Sequence, residues 1–166
     1  MASQMAGCIN IGGRVTRGQW NRMVELEGYL DKLDPATGKT TEEDTVYLSD
    51  GSVTVNDGCA SWGHFDELES YLREQGIPYD RQSDAAYEYD AQEASFRPGM
   101  DDELTCRGEQ NGGIVVPIDR VITYIENKWS LDEIIALGST LDDEVRLYML
   151  RKSQPLPDFE FIEAEG

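Results

Sequence analysis

Apolar residues recur along this chain in two rhythms, one near the 3.6-residue period of a helix and one strictly alternating, and the switches between them mark the elements. Residues 7–12, Gly-Cys-Ile-Asn-Ile-Gly, alternate and predict a short strand. Thr16 with Gln19 three residues later forms a capping box. Trp20, Met23, Leu26, Leu30 and Leu33 then line one face of a helix predicted through about Leu33. Asp34-Pro35 breaks it, and an acidic loop leads to two alternating runs, 45–49 and 52–56. Asp50-Gly51 between them is a hairpin signal. A second helix is predicted from near Gly63 to Gln75. Phe65, Leu68, Tyr71 and Leu72 face inward, Asp66, Glu67, Ser70, Arg73 and Glu74 outward, and Gly76 stands just past the end.

Beyond Gly76 the pattern is less regular. Short β-like pieces are expected around 77–81, 86–89, 94–97, 104–107 and 113–116, separated by polar turns. Pro117 opens a third helix carrying Ile118, Val121, Ile122 and Ile125 on one face. Ser130 and Glu133 cap a short helix ending at Gly138, and Thr140 caps a last helix over about 141–152, stopped by Pro155 and Pro157. The fold class this implies is α+β: a small mixed or antiparallel sheet with two helices packed on it and a C-terminal helical segment. Residues 1–154 form one domain, and 155–166 are an acidic, loose tail. The run Glu25-Leu26-Glu27-x-Tyr29-Leu30 returns as Glu67-Leu68-Glu69-x-Tyr71-Leu72, which would fit a duplicated β-α unit.

Composition adds one dominant fact. The 166 residues hold 33 acidic and 14 basic side chains, a formal charge of −19. Residues 31–110 contain 20 of the acids and six of the bases, a net of −14. Such a field repels nucleic acid and anionic membrane and favours cationic partners. With 39% hydrophobic residues and eight Tyr, four Phe and three Trp, the chain is too apolar for an acidic disordered segment. No apolar run approaches the ~20 residues that span a bilayer, and the first residues lack a signal peptide's basic and apolar regions, so a cytoplasmic location is expected. Cys8, Cys59 and Cys106 are widely spaced and odd in number, which indicates reduced, partly buried thiols.

Four motifs can be weighed against plainer readings. Gly38-Lys39-Thr40 ends like a phosphate-binding loop, but Leu33 stands where that loop needs glycine, so a polar turn is expected. Cys59 and His64, with Asp66 as orienter, could be imagined as thiolate and base, yet no cysteine-enzyme signature surrounds them; a buried thiol and a helix-start histidine suffice. The glycine-containing turn between the last two helices has a helix-turn-helix layout. Its second helix opens Leu141-Asp142-Asp143-Glu144, and three carboxylates there oppose phosphate contacts. Glu42-Glu43-Asp44 and Asp101-Asp102-Glu103 lack the spaced oxygens of a calcium loop. No catalytic residue, cofactor or metal site is expected. Tyr47, Tyr71, Tyr79, Tyr87 and Tyr89 lie among the acids of 31–110, and exposed aromatics among carboxylates suit a protein interface.

In size, acidity and lack of a catalytic signature, the chain resembles the small inhibitor proteins of phages and other mobile elements, the anti-CRISPR and anti-restriction proteins among them. The segment from Gly76-Ile77-Pro78-Tyr79-Asp80-Arg81-Gln82-Ser83-Asp84 through Phe96-Arg97-Pro98-Gly99 is also similar to one found in uncharacterised proteins of such elements. Such inhibitors share a strategy and no motif. The resemblance implies a stoichiometric, non-enzymatic binder that occupies the nucleic-acid-binding site of a positively charged bacterial defence protein. It would bind neither nucleic acid nor membrane itself. The expected contact residues are Glu42, Glu43, Asp44, Asp66, Glu67, Glu74, Tyr87, Glu88, Tyr89, Asp90, Asp101, Asp102 and Glu103. The alternatives are an acidic immunity or assembly partner of a cationic protein without mimicry, and, further off, a cysteine-dependent enzyme.

Overall fold

A computed structural model describes residues 4–61, 65–83, 91–107, 126 and 143–163. The strands expected at 86–89 and 113–116, and the helices expected from Pro117 and from Ser130, lie outside those residues. The alternating run at the N-terminus belongs to a longer strand, β1 (Gln4–Ile11), and Thr16 caps α1 (Arg17–Leu26) through the expected reciprocal box with Gln19. Between them lies the short β2 (Arg14–Thr16). The helix expected to reach Leu33 stops earlier: Glu27 is extended, and a 3-10 helix (Gly28–Lys32) follows. Leu30 and Leu33 are buried all the same, because a three-residue spacing suits a 3-10 helix as well as an α-helix.

The hairpin forms as expected. Strands β3 (Val46–Ser49) and β4 (Ser52–Ser61) are joined by Asp50 at φ 53° and Gly51 at φ 79°, both left-handed, as a two-residue type I′ turn requires. Helix α2 (Asp66–Gln75) begins later than the pattern implied and ends at Gly76. Strands β5 (Tyr79–Ser83), β6 (Gln92–Phe96) and β7 (Leu104–Arg107), helix α3 (Asp143–Ser153) and strand β8 (Glu160–Ile162) complete the described elements.

Six strands form one sheet in the order β3-β4-β1-β5-β6-β7, every neighbouring pair antiparallel. Its first part runs β1-α1-β3-β4-α2-β5, so each helix carries the chain over one intervening strand. This is the split β-α-β, or ferredoxin-like, topology. It repeats a β-α-β unit, but the six-residue echo does not mark that repeat: Glu25 stands near the end of α1 and Glu67 near the start of α2.

Residues opposed across antiparallel strands share a face. One face therefore carries Val46, Val53, Val55, Ile9, Ile11, Tyr79, Arg81, Ala94 and Phe96, and α1 and α2 cover it with Trp20, Met23, Leu68 and Leu72. The other face carries Asn10, Thr54, Asp80, Ser95 and Glu93, and α3 packs over its β6–β7 end.

The loose C-terminal tail is a correction. Through Glu163 it is docked: β8 pairs in parallel with β2, Gly13 N–H donates to the carbonyls of Pro157 and Asp158, and Phe159 N–H donates to Gly51. Phe159 packs edge-on to Trp20, ring centres 6.0 Å apart, and the Arg17 guanidinium lies 4.6 Å from the Phe161 ring centre. Two half-buried aromatics anchor what net charge alone suggested would stay in solvent. Gly12 permits it, since a Cβ there would overlap the Pro157 carbonyl.

Candidate functional site

Four arginines of this acidic chain are drawn in around the polar strands β5 and β6. On the helix-covered face, Arg81 is fully buried with its Nε 3.1 Å from Glu69 Oε1 and one Nη donating to Gln92 Oε1 at 2.6 Å. Glu103 reaches the same group, 3.5 Å from Arg81, and accepts from the Tyr79 hydroxyl at 2.9 Å; Arg73 in turn donates to that hydroxyl at 2.7 Å. On the opposite face, Arg97 donates to Asp80 at 2.9 Å and to the Gln154 carbonyl at 2.8 Å. Arg151 of α3 donates to Ser95 Oγ and the Ala94 carbonyl and lies 3.5 Å from Glu93. These arginines clamp α2 and α3 to the sheet.

Burial sets the protonation of this layer. Desolvation raises the Glu69 carboxyl to about 7, against the pull of Arg81 and with a push from Glu103. Burial, together with Glu103, drives the Tyr79 hydroxyl upward, so it remains a donor. Glu69 and Arg81 are 2% and 1% exposed, which leaves no room for a substrate between them. The cluster is an internal brace.

What the cations leave behind is the surface. The exposed positions of α2 include Asp66, Glu67 and Glu74, and Glu67 and Glu74 stand two turns, ~10 Å, apart on one side. Arg73 extends from α2 to the loop before β7, its Nε 3.5 Å from Asp102 Oδ1, which sets exposed Asp101 and Asp102 beside the end of the helix. Five of the expected contact residues thus form one acidic ridge. Glu103 does not join it, being 16% exposed and turned inward to Tyr79, Arg73 and Arg81. Glu42, Glu43 and Asp44 are exposed in the turn before β3, the outer strand opposite β7 and at the other end of the sheet from Asp101 and Asp102. Five inter-strand spacings separate β3 from β7, which puts them roughly 24 Å from Asp101 and Asp102 across the sheet alone. Tyr87, Glu88, Tyr89 and Asp90 lie outside the described residues, as do His64 and the Cys59 side chain.

Other expectations resolve simply. Tyr79 is buried and stacked on Phe96, ring centres 5.8 Å apart, and Tyr47 and Tyr71 are half-buried, so none of the three is an exposed aromatic. Gly38-Lys39-Thr40 closes a turn in which Gly38 N–H donates to Asp34 and Asp34 N–H donates to Lys39. Among the described residues no helix is long and apolar enough to cross a membrane, and no three His, Cys, Asp or Glu side chains converge as metal ligands. Sequence reading missed a groove of about 440 Å³ between α1 and the turn after the 3-10 helix, with Trp20, Val24, Leu33 and Pro35 as its floor. The helix-breaking Asp34-Pro35 was its one visible sign. No protein-family model, curated protein or solved structure matches the chain.

Proposed function

We propose that the protein is a stoichiometric binder of a cationic, nucleic-acid-handling protein, and that carboxylates on the α2 ridge stand in for phosphates. The observation that carries this reading is the disposition of charge: Arg73, Arg81, Arg97 and Arg151 are drawn into the molecule onto Glu69, Asp80, Glu93 and Glu103, while Glu67, Glu74 and Asp101 are exposed and have no ion-pair partner among the described residues. With these four arginines paired inside, the acids on the exposed side of α2 outnumber the cations there. Such a surface accelerates encounter with a positive groove and rejects nucleic acid itself. An inhibitor of bacterial defence proteins, of the sort mobile elements encode, fits this chemistry. The fold alone names no target.

The test begins with affinity capture from a bacterial lysate at low salt. Labelled DNA or RNA held by the captured protein is then titrated with this chain at several salt concentrations. Displacement at one-to-one stoichiometry, weakening steeply with salt, supports the reading. Replacing Glu67 and Glu74 by Lys should raise the half-displacement concentration by at least about tenfold, or ~1.4 kcal/mol. The same reversal at Glu42 and Glu43, beside the outer strand β3 and off the ridge, should cost less. Simultaneous binding of nucleic acid and this chain would overturn competition and favour the immunity or assembly partner.

A further inference from the structure

The groove beside α1 has an apolar floor and a rim of charge. Trp20, Leu33 and Pro35 are buried and Val24 is half-buried, whereas Asn21, Asp31 and Asp34 are exposed. Arg17, the one cation among the described residues that line it, is already committed: both carboxylate oxygens of Glu163 accept from its Nη2, at 3.2 and 3.0 Å, and Phe161 stacks beneath it. Asp31 is exposed and has no ion-pair partner among the described residues. The Asp34 carboxylate accepts from Ala36 N–H and Thr37 Oγ1, both at 3.0 Å, bonds that hold it ionised. Counting Glu163 with Arg17, which still pulls on Asp34, the described residues around the groove carry a net of two negative charges over an apolar bed.

We propose that this groove receives an arginine side chain from a partner protein, its methylene stem on Trp20, Leu33 and Pro35 and its guanidinium between Asp31 and Asp34. A small anion is repelled, and a purely apolar residue leaves two carboxylates beside it desolvated. Arginine suits better than lysine for two reasons. Its weakly hydrated, planar head loses less on leaving water against an apolar floor, and its fork of donors serves two carboxylates at once where an ammonium acts as one point. At about 440 Å³ the space lies at the small end of the range for ligand pockets and is ample for one long side chain. That the arginine belongs to a nucleic-acid-handling protein rests on the cationic-partner reading; the preference of the groove does not.

The experiment uses the full chain and no target. An acetylated and amidated Gly-Arg-Gly peptide is titrated into the ¹⁵N-labelled protein, with Gly-Lys-Gly and Gly-citrulline-Gly beside it. Saturable shifts at the Trp20 indole N–H and at the amides of Asn21, Asp31 and Asp34 are expected from the arginine peptide, with the citrulline peptide weaker by at least about tenfold. Asp34→Asn retains an oxygen for the Ala36 N–H, so the turn persists while the charge is lost. That variant and Asp31→Asn, at an exposed position, should each weaken the arginine peptide several-fold. Equal response to citrulline, unaltered binding by both variants, or shifts spread evenly over α2 would overturn the site; an equal lysine response would overturn the choice of arginine. Because the titration involves no nucleic acid, its failure leaves the competition assay on the α2 ridge standing, and the reverse also holds.

Discussion

Glu69 keeps a proton well above the pH at which an exposed glutamate loses one, because burial between α2 and the sheet desolvates its carboxyl. An ordinary glutamate ionises near 4.5 and this one near 7, so between those values the folded protein binds more protons than the unfolded chain. Folding stability from this group is complete below about pH 4.5 and is lost as pH rises through 7. Relative to Glu69→Gln, the wild type should lose up to about 3 kcal/mol across that window, read from urea unfolding at a series of pH values. Parallel pH profiles for the two proteins would show that Glu69 titrates normally. Gly12 offers a second residue-scale test. Gly12→Ala puts a methyl into the Pro157 carbonyl and the Leu156 side chain, and should destabilise by at least about 2 kcal/mol in the same assay, whereas Gly18→Ala, with open space around it, should not.

At the scale of elements, the docked tail makes the sharpest contrast with a reading of composition. Ending the chain after Gln154 removes the β2–β8 ladder and the packing of Phe159 and Phe161. Two half-buried phenylalanines and a few hydrogen bonds are together worth roughly 3 kcal/mol. For a chain of this size the melting temperature should fall by about 10 °C, and a fall of only one or two degrees would mean that the tail contributes nothing. The elements that were legible had local chemistry: the Thr16–Gln19 box, the Asp50-Gly51 turn, the amphipathic α2. The ends of β5 and β6 were not, because Asp80, Arg81, Glu93 and Ser95 place polar groups on both faces and erase the alternation that marks a strand. The early stop of α1 was hidden by Leu30 and Leu33, whose spacing satisfies two kinds of helix. Of the contact surface, the α2 face could be read from its period of 3.6; the inward turn of Glu103, set by Arg81 and Tyr79 more than 20 residues away, could not.

For the whole molecule, a charge of −19 acts on two equilibria in opposite directions. Like charges on the surface oppose compaction, so added sodium chloride should raise the melting temperature by several degrees between 0.02 and 0.5 M, on the order of what screening at a Debye length shrinking from ~20 to ~4 Å allows. The same salt should weaken any complex made through the α2 ridge. A melting temperature that falls with salt would mean that the internal arginine pairs outweigh the surface repulsion. The parallel pairing of β2 with β8 has a consequence of another sort, in time. Arg17 and Glu163 are 146 residues apart, and ribosomes add roughly 5–20 residues per second, so β2 waits on the order of 7–30 s for its neighbour. Throughout elongation Trp20 lacks Phe159 and one edge of β2 stands open, so this corner is completed only when residues 159–163 arrive.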